Sequence, residues 1–187
     1  MKTILLILIF TLASAAAFGQ TTERQIEGIR KVYSETNGLI AEMQKAPELS
    51  SVFAVELVVN KFSAPYPAVG IYQTAAVFYY TYGDRERNPY PDRLLKVRTV
   101  TQRSARERAA EYFFDSTGHL VFVFISDPGG EVEATRLFFA AGRLVKLIAD
   151  GKETGVTTRA AVAASTQAKK EVGRLIGIFR SALASDD

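Results

Sequence analysis

The chain has 187 residues, 48% of them hydrophobic and 23% charged, with a formal net charge of +3, one histidine and no cysteine. Those fractions belong to an ordinary globular domain rather than a disordered or coiled-coil chain, and so small a charge gives no ground for nucleic-acid binding. Without cysteine there is no disulfide, no thiolate metal site and no cysteine to carry a lipid.

Lys2 is followed by an apolar run from Ile4 to Phe10 with Leu12 and Ala13, and then by Ala15-Ala16-Ala17-Phe18-Gly19. This is the layout of a secretory signal peptide, with small residues where cleavage needs them. Cleavage is expected after Gly19, with Ala15, Ala16 and Ala17 as neighbouring sites. The stretch is shorter than the roughly 20 apolar residues of a spanning helix and is interrupted by Thr11 and Ser14. Residues 20–187 then form one mature domain, large enough to bury its own core. The expected location is periplasmic or extracellular, with no lipid anchor and no transmembrane segment after cleavage. The missing disulfides and the absence of an Asn-x-Ser/Thr acceptor point to a bacterial type of export.

Residues 22 to 45 carry Ile26, Ile29, Tyr33, Thr36, Ile40 and Met43 at steps of three and four, one stripe of an amphipathic helix. Thr21 or Thr22 is the expected cap. Asn37-Gly38 is a weak point where the helix can break in two, and Pro47 closes the helical region. From residue 51 the period changes to two and the residues become β-branched and aromatic. Strands are expected at about 51–60, 70–82, 93–102, 108–115, 119–126, 131–140 and 143–149. The turns Asp115-Ser116-Thr117-Gly118, Asp127-Pro128-Gly129-Gly130 and Ala141-Gly142 are short, so neighbouring strands must pair antiparallel as a meander. Two hairpins resemble each other, Glu111 to Val123 and Arg136 to Leu147. Each reads aromatic pair, turn ending in Gly, one polar residue, then Leu-Val, a similarity that shared hairpin geometry explains without a repeat array. Residues 157 to 183 return to helical spacing, with Val162, Ala168, Val172, Leu175, Ile176, Phe179 and Leu183 on one stripe and Thr157 or Thr158 as cap. The fold expected is therefore α+β: an N-terminal amphipathic helix, a curved antiparallel meander of about seven strands and a long C-terminal helix packed on the sheet.

Several strands are apolar on both faces, as in Leu120, Phe122 and Phe124 against Val121, Val123 and Ile125. Seven strands span roughly 30 Å, and a helix is about 10 Å across. Two helices are therefore not expected to cover both faces. The remaining apolar surface should be met by curling of the sheet, by closure around a cavity or by a second molecule.

Chemistry-bearing patterns are sparse. His119 is the lone histidine and reads as a turn-flanking side chain; Asp115, Asp127 and Asp150 sit in turns. Glu56 lies among apolar neighbours and reads as an edge or ion-paired carboxylate. No phosphate loop, nucleophile elbow or dinucleotide fingerprint occurs, and no catalytic, cofactor or metal residues are assigned. The densest cluster is aromatic and basic. Six of eight tyrosines, Tyr66, Tyr72, Tyr79, Tyr80, Tyr82 and Tyr90, fall within 25 residues, beside the loop Gly83 to Asp92. Tyr72, Tyr80, Tyr82, Arg85, Arg87 and Arg93 are the candidate ligand-binding residues, because tyrosine and arginine together suit glycans, anionic head groups or proteins. Packing of the rings across strands is the competing explanation. The functional expectation is an exported, noncatalytic module binding an apolar or amphipathic ligand, with apolar, glycan or anionic envelope molecules as the partners expected. The alternatives are an envelope protein-interaction or structural protein, including a homodimer, and third an enzyme acting on envelope material.

Overall fold

The computed structural model describes residues 2–67, 70–84, 86–87, 90–128 and 134–183, with side chains from residue 22 onward. Helix α1 spans Lys2–Lys45, and a 3-10 turn follows at Pro47–Leu49. The strands are β1 (Val52–Val59), β2 (Pro65–Tyr66), β3 (Gly70–Tyr82), β4 (Pro91–Arg103), β5 (Arg106–Phe114), β6 (Leu120–Ser126), β7 (Thr135–Ala140), β8 (Arg143–Ala149) and β9 (Lys152–Thr154). Helix α2 spans Arg159–Leu183. The class is α+β, as expected. All pairings are antiparallel in the order β1-β3-β4-β5-β6-β7-β8-β9, with β2 beside β3.

Among the described residues nine strands replace the expected seven or so, because β2 and β9 are too short to leave a period. Strand β7 begins at Thr135 rather than 131, and residues 131–133 lie outside the described residues. Helix α1 has no start at Thr21 or Thr22, since the Ala- and Leu-rich stretch before them is itself helix-forming. Nor does it break at Asn37-Gly38. There Asn37 Oδ1 accepts a 3.0 Å hydrogen bond from Lys96 Nζ on β4, a tertiary contact that overrides a weak local propensity. At α2 the cap is Thr158, whose hydroxyl accepts from the Ala161 amide at 3.2 Å. The buried stripe starts at Ala161 instead of Val162, which is 54% exposed.

The sheet is sandwiched between the helices. On one face α2 buries Ala161, Ala168, Val172, Leu175 and Phe179 against Ala76, Phe78, Tyr80, Val97, Tyr112, Phe114, Val123, Leu137, Phe139 and Leu147. On the other, α1 sets Ile26 and Ile29 against Phe113, Phe122 and Phe138, and Ile40 against Val52 and Leu95. Both helices run across the strands. Helix α1 passes from β5–β7 at Ile26 to β4 at Asn37 and β1 at Ile40. Helix α2 passes from β7, where Lys169 Nζ lies 5.9 Å from the Phe139 ring, to β3, where Phe179 stacks on Phe78 at 5.6 Å. A helix crossing the strands covers the sheet with its length. At 1.5 Å per residue, α2 is about 38 Å long, enough for a row of eight strands roughly 34 Å wide. The expectation that two helices leave much of both faces bare is corrected by this geometry. Among the described residues the sheet also stays open, with β1 paired only to β3 and β9 only to β8.

A line of β-bulges lies under α1. Leu95 is the extra residue of β4 opposite Tyr79-Tyr80, Val121 that of β6 opposite Phe113-Phe114, and Val145 that of β8 opposite Phe138-Phe139. A bulge interrupts alternation and lets two successive side chains share a face. In each case the extra residue joins the α1 clusters, while the leucine before it (Leu94, Leu120, Leu144) packs with the α2 core. The similar hairpins β5–β6 and β7–β8 thus have a third counterpart in β3–β4. The two-residue turns Ala141-Gly142 and Asp150-Gly151 have positive φ at both positions (47° and 72°, 50° and 70°), which fits the twist of tight hairpins.

Candidate functional site

The tyrosine and arginine candidates separate by face and by strand end. Tyr80 is buried, its ring 5.4 Å from Phe179 and 5.5 Å from Tyr82, and Tyr82 meets Phe53 edge-on at 5.0 Å. Tyr72 lies eight residues earlier on β3, roughly 26 Å away along the strand, under the guanidinium of Arg103 at 5.3 Å. Arg93 pairs with Thr81 and precedes Leu94, which packs on the α2 side, so it faces α1. Its Nε is buried with no hydrogen-bond partner. Arg87 is exposed, 3.4 Å from Asp84. Arg85 lies outside the described residues. The structure therefore brings Tyr80 and Tyr82 together, sets Tyr72 toward the other end of β3 and turns Arg93 to the opposite face.

Around His119 the turn is tightly hydrogen-bonded. Asp115 Oδ1 accepts from the amides of Thr117 and His119, both at 2.9 Å, and from the Thr117 hydroxyl at 2.6 Å. His119 Nδ1 is 2.7 Å from that hydroxyl. The single hydroxyl proton goes to the carboxylate, so Nδ1 carries a proton and donates to Thr117. Burial pushes the Asp115 carboxyl up, but these bonds and the nearby imidazole outweigh it and hold the carboxyl below its ordinary value. Every partner lies within five residues, as in an Asx turn. Glu56 is exposed on β1, an edge strand. Among the described residues no group of three His, Asp or Glu side chains is placed to hold a metal.

The α1 face carries the richer arrangement. Register aligns Glu56, Val77, Arg98, Glu111, Phe124, Arg136, Ile148 and Glu153 in one row across the sheet. The neighbouring row, on the same face, runs Ala54, Tyr79, Lys96, Phe113, Phe122, Phe138 and Lys146. Lys96 is 6% exposed; its ammonium is 2.9 Å from Glu111 Oε1 and 4.8 Å from the centre of the Phe113 ring. Arg98 approaches the same carboxylate at 3.9 Å. Burial raises the Tyr79 phenol above its ordinary value, with Arg98 opposing and Glu111 and Glu56 adding to the rise.

Where the two rows pass under the turn of α1 that carries Ile29, Arg30 and Tyr33, they leave an open groove of about 320 Å³, lined also by Phe122, Phe124, Arg136 and Phe138. Tyr33 closes one side, its ring 5.0 Å from Phe113 and 5.6 Å from Phe122. The guanidinium of Arg136 lies 5.5 Å from the centre of the Phe124 ring. A floor of aromatic rings with basic groups beside it can take an apolar body and orient a polar end. Arg30, Phe124 and Arg136 were not legible as a site, because they come from three elements brought together only by the register of β6 with β7 and by the crossing of α1. Comparison with known protein families, characterised proteins and solved structures finds no match for this chain.

Proposed function

We propose that this protein is an exported, noncatalytic binding module whose ligand, apolar or amphipathic, lies in the groove between α1 and strands β6 and β7. The observation that carries the reading is the groove of about 320 Å³ beside α1, where half-buried Phe124 shares the lining with Arg30, Tyr33, Arg136 and the largely buried Phe122 and Phe138. Export, to the periplasm or outside the cell, rests on the composition of residues 1–19. Cleavage after Gly19 would remove none of the described buried residues of α1, the first of which is Ile26.

Native mass spectrometry of the protein isolated from its own host tests both parts. The expected spectrum has a chain beginning at Gln20 and a small molecule that leaves on denaturation. A bare chain that also fails to bind the neutral probe N-phenyl-1-naphthylamine would sink the ligand reading. A second reading, docking of a protein or a second copy, is favoured by Leu57, Val59, Phe62, Tyr66 and Ile71, an exposed apolar group at one end of β1–β3 in which Phe62 is 90% exposed. The same spectrum reads it as a dimer or heteromer mass.

A further inference from the structure

The groove has a charge bias that its aromatic floor does not require. Arg136 sits in the cross-strand row between Phe124 and Ile148, so no carboxylate lies directly opposite it. Farther along that row toward β1, Glu111 on β5 is already held by Lys96 at 2.9 Å and Arg98 at 3.9 Å, and Glu56 stands at the far end on β1. At the other end of the row Glu153 is 2.8 Å from Lys146. Glu111 and Glu153 are thus paired with other bases, and Arg136 is left over a ring. Arg30 enters the same groove from α1, and among the described residues neither arginine makes an ion pair.

Two guanidiniums without carboxylates beside an apolar floor are complementary to one kind of molecule. Guanidinium forms paired, charge-assisted hydrogen bonds with planar or tetrahedral oxyanions, and the low dielectric beside aromatic rings strengthens them. We propose that the groove selects a small amphiphile with an anionic head, a carboxylate or sulfonate, held by Arg30 and Arg136 while its apolar body lies against Tyr33 and Phe124. This rests on the groove being the ligand site and adds what the ligand must carry.

The test uses a matched pair of fluorescent probes, neutral N-phenyl-1-naphthylamine and its sulfonated counterpart 1-anilinonaphthalene-8-sulfonate, titrated into residues 20–187. The sulfonated probe should bind at least about tenfold more tightly, the effect of one well-made hydrogen bond to a charged group. Arg136→Gln and Arg30→Gln should each bring that affinity toward the neutral probe's, with neutral-probe binding unchanged. Because Arg136 also packs on Phe124, the exposed Arg30 supplies a variant whose effect on folding is small. Equal affinity for the two probes in the parent protein overturns the anionic head and leaves the groove standing. Binding of neither overturns both. A sulfonate preference that survives both substitutions also overturns the proposal, because the selectivity then lies elsewhere on the molecule.

Discussion

The two faces of the sheet are built differently. Beneath α2 the core is continuous from β3 to β8, and among the described residues it holds one buried polar side chain, Thr99 between Ala76 and Ala110, and no charged one. Beneath α1 the apolar contacts fall into two smaller groups, one around Ile26 and Ile29 and one around Ile40, with buried Thr36 and the pair Asn37–Lys96 between them. A continuous dry face gains free energy in proportion to the apolar area it removes from water. A divided face gains less, because buried polar groups must first recover the hydrogen bonds they had in water. Stability is thus concentrated under α2, and the groove lies on the side that can spare packing.

The sharpest way to break this contrast is to truncate each core by the same chemistry. Leu175→Ala, at a site with 0% exposure, should cost about 2–5 kcal/mol, and Ile40→Ala, at the border of the divided face, should fall at the lower end of that range. Urea unfolding measures both, and equal losses would mean that the faces do not differ in this way. Lys96→Met should cost about 1–3 kcal/mol, since it keeps the aliphatic stem but leaves Asn37 and Glu111 short of a partner. A gain in stability would show that the lysine is retained for something other than folding.

The smallest effect is confined to alkaline pH. Burial pushes the Tyr112 phenol up to about 12, reinforced by Glu171 and opposed by Arg108 and Arg174. The folded state therefore holds the proton more tightly than the unfolded chain, whose value is near 10. This contribution is complete below pH 10 and disappears as pH rises through about 12. At pH 11, one unit above the unfolded value, the loss is about 1.4 kcal/mol. Stability measured from pH 9 to 11 should fall less steeply in Tyr112→Phe than in the parent, and parallel curves would place the alkaline sensitivity elsewhere.

Local patterns carried most of the architecture. Steps of three and four residues identified Ile26, Ile29, Thr36 and Ile40 as one helical face, and the turn residues Gly118 and Ala141-Gly142 marked the hairpins. What was not legible depended on relations between elements. The direction of α1 across the strands has no sequence signature, so a covering helix was counted by its width instead of its length. The third bulged hairpin was hidden because β3 and β4 are joined by a longer loop than the Gly-ended turns of the other two. Lys96 drew no reading of its own, although a lysine held between Leu95 and Val97 is itself a signal of a buried partner. The tyrosines were legible as strand residues, but only the β3–β4 register shows that Tyr80 serves the core.

The crossing of α1 also orders events in time. From β3 onward, each strand of the sheet's main row pairs with the strand made just after it, so most of the sheet can assemble from local contacts, the arrangement associated with rapid folding. Helix α1 is local only at its C-terminal end, where Ile40 meets Val52 on β1. The partners of Ile26 and Ile29 include Phe138 on β7, so their packing waits until most of the chain has emerged. Hairpins can close behind one another while Ile26 and Ile29 of α1 stay wet, so the packing of that end of the helix closes one of the longest loops of the fold.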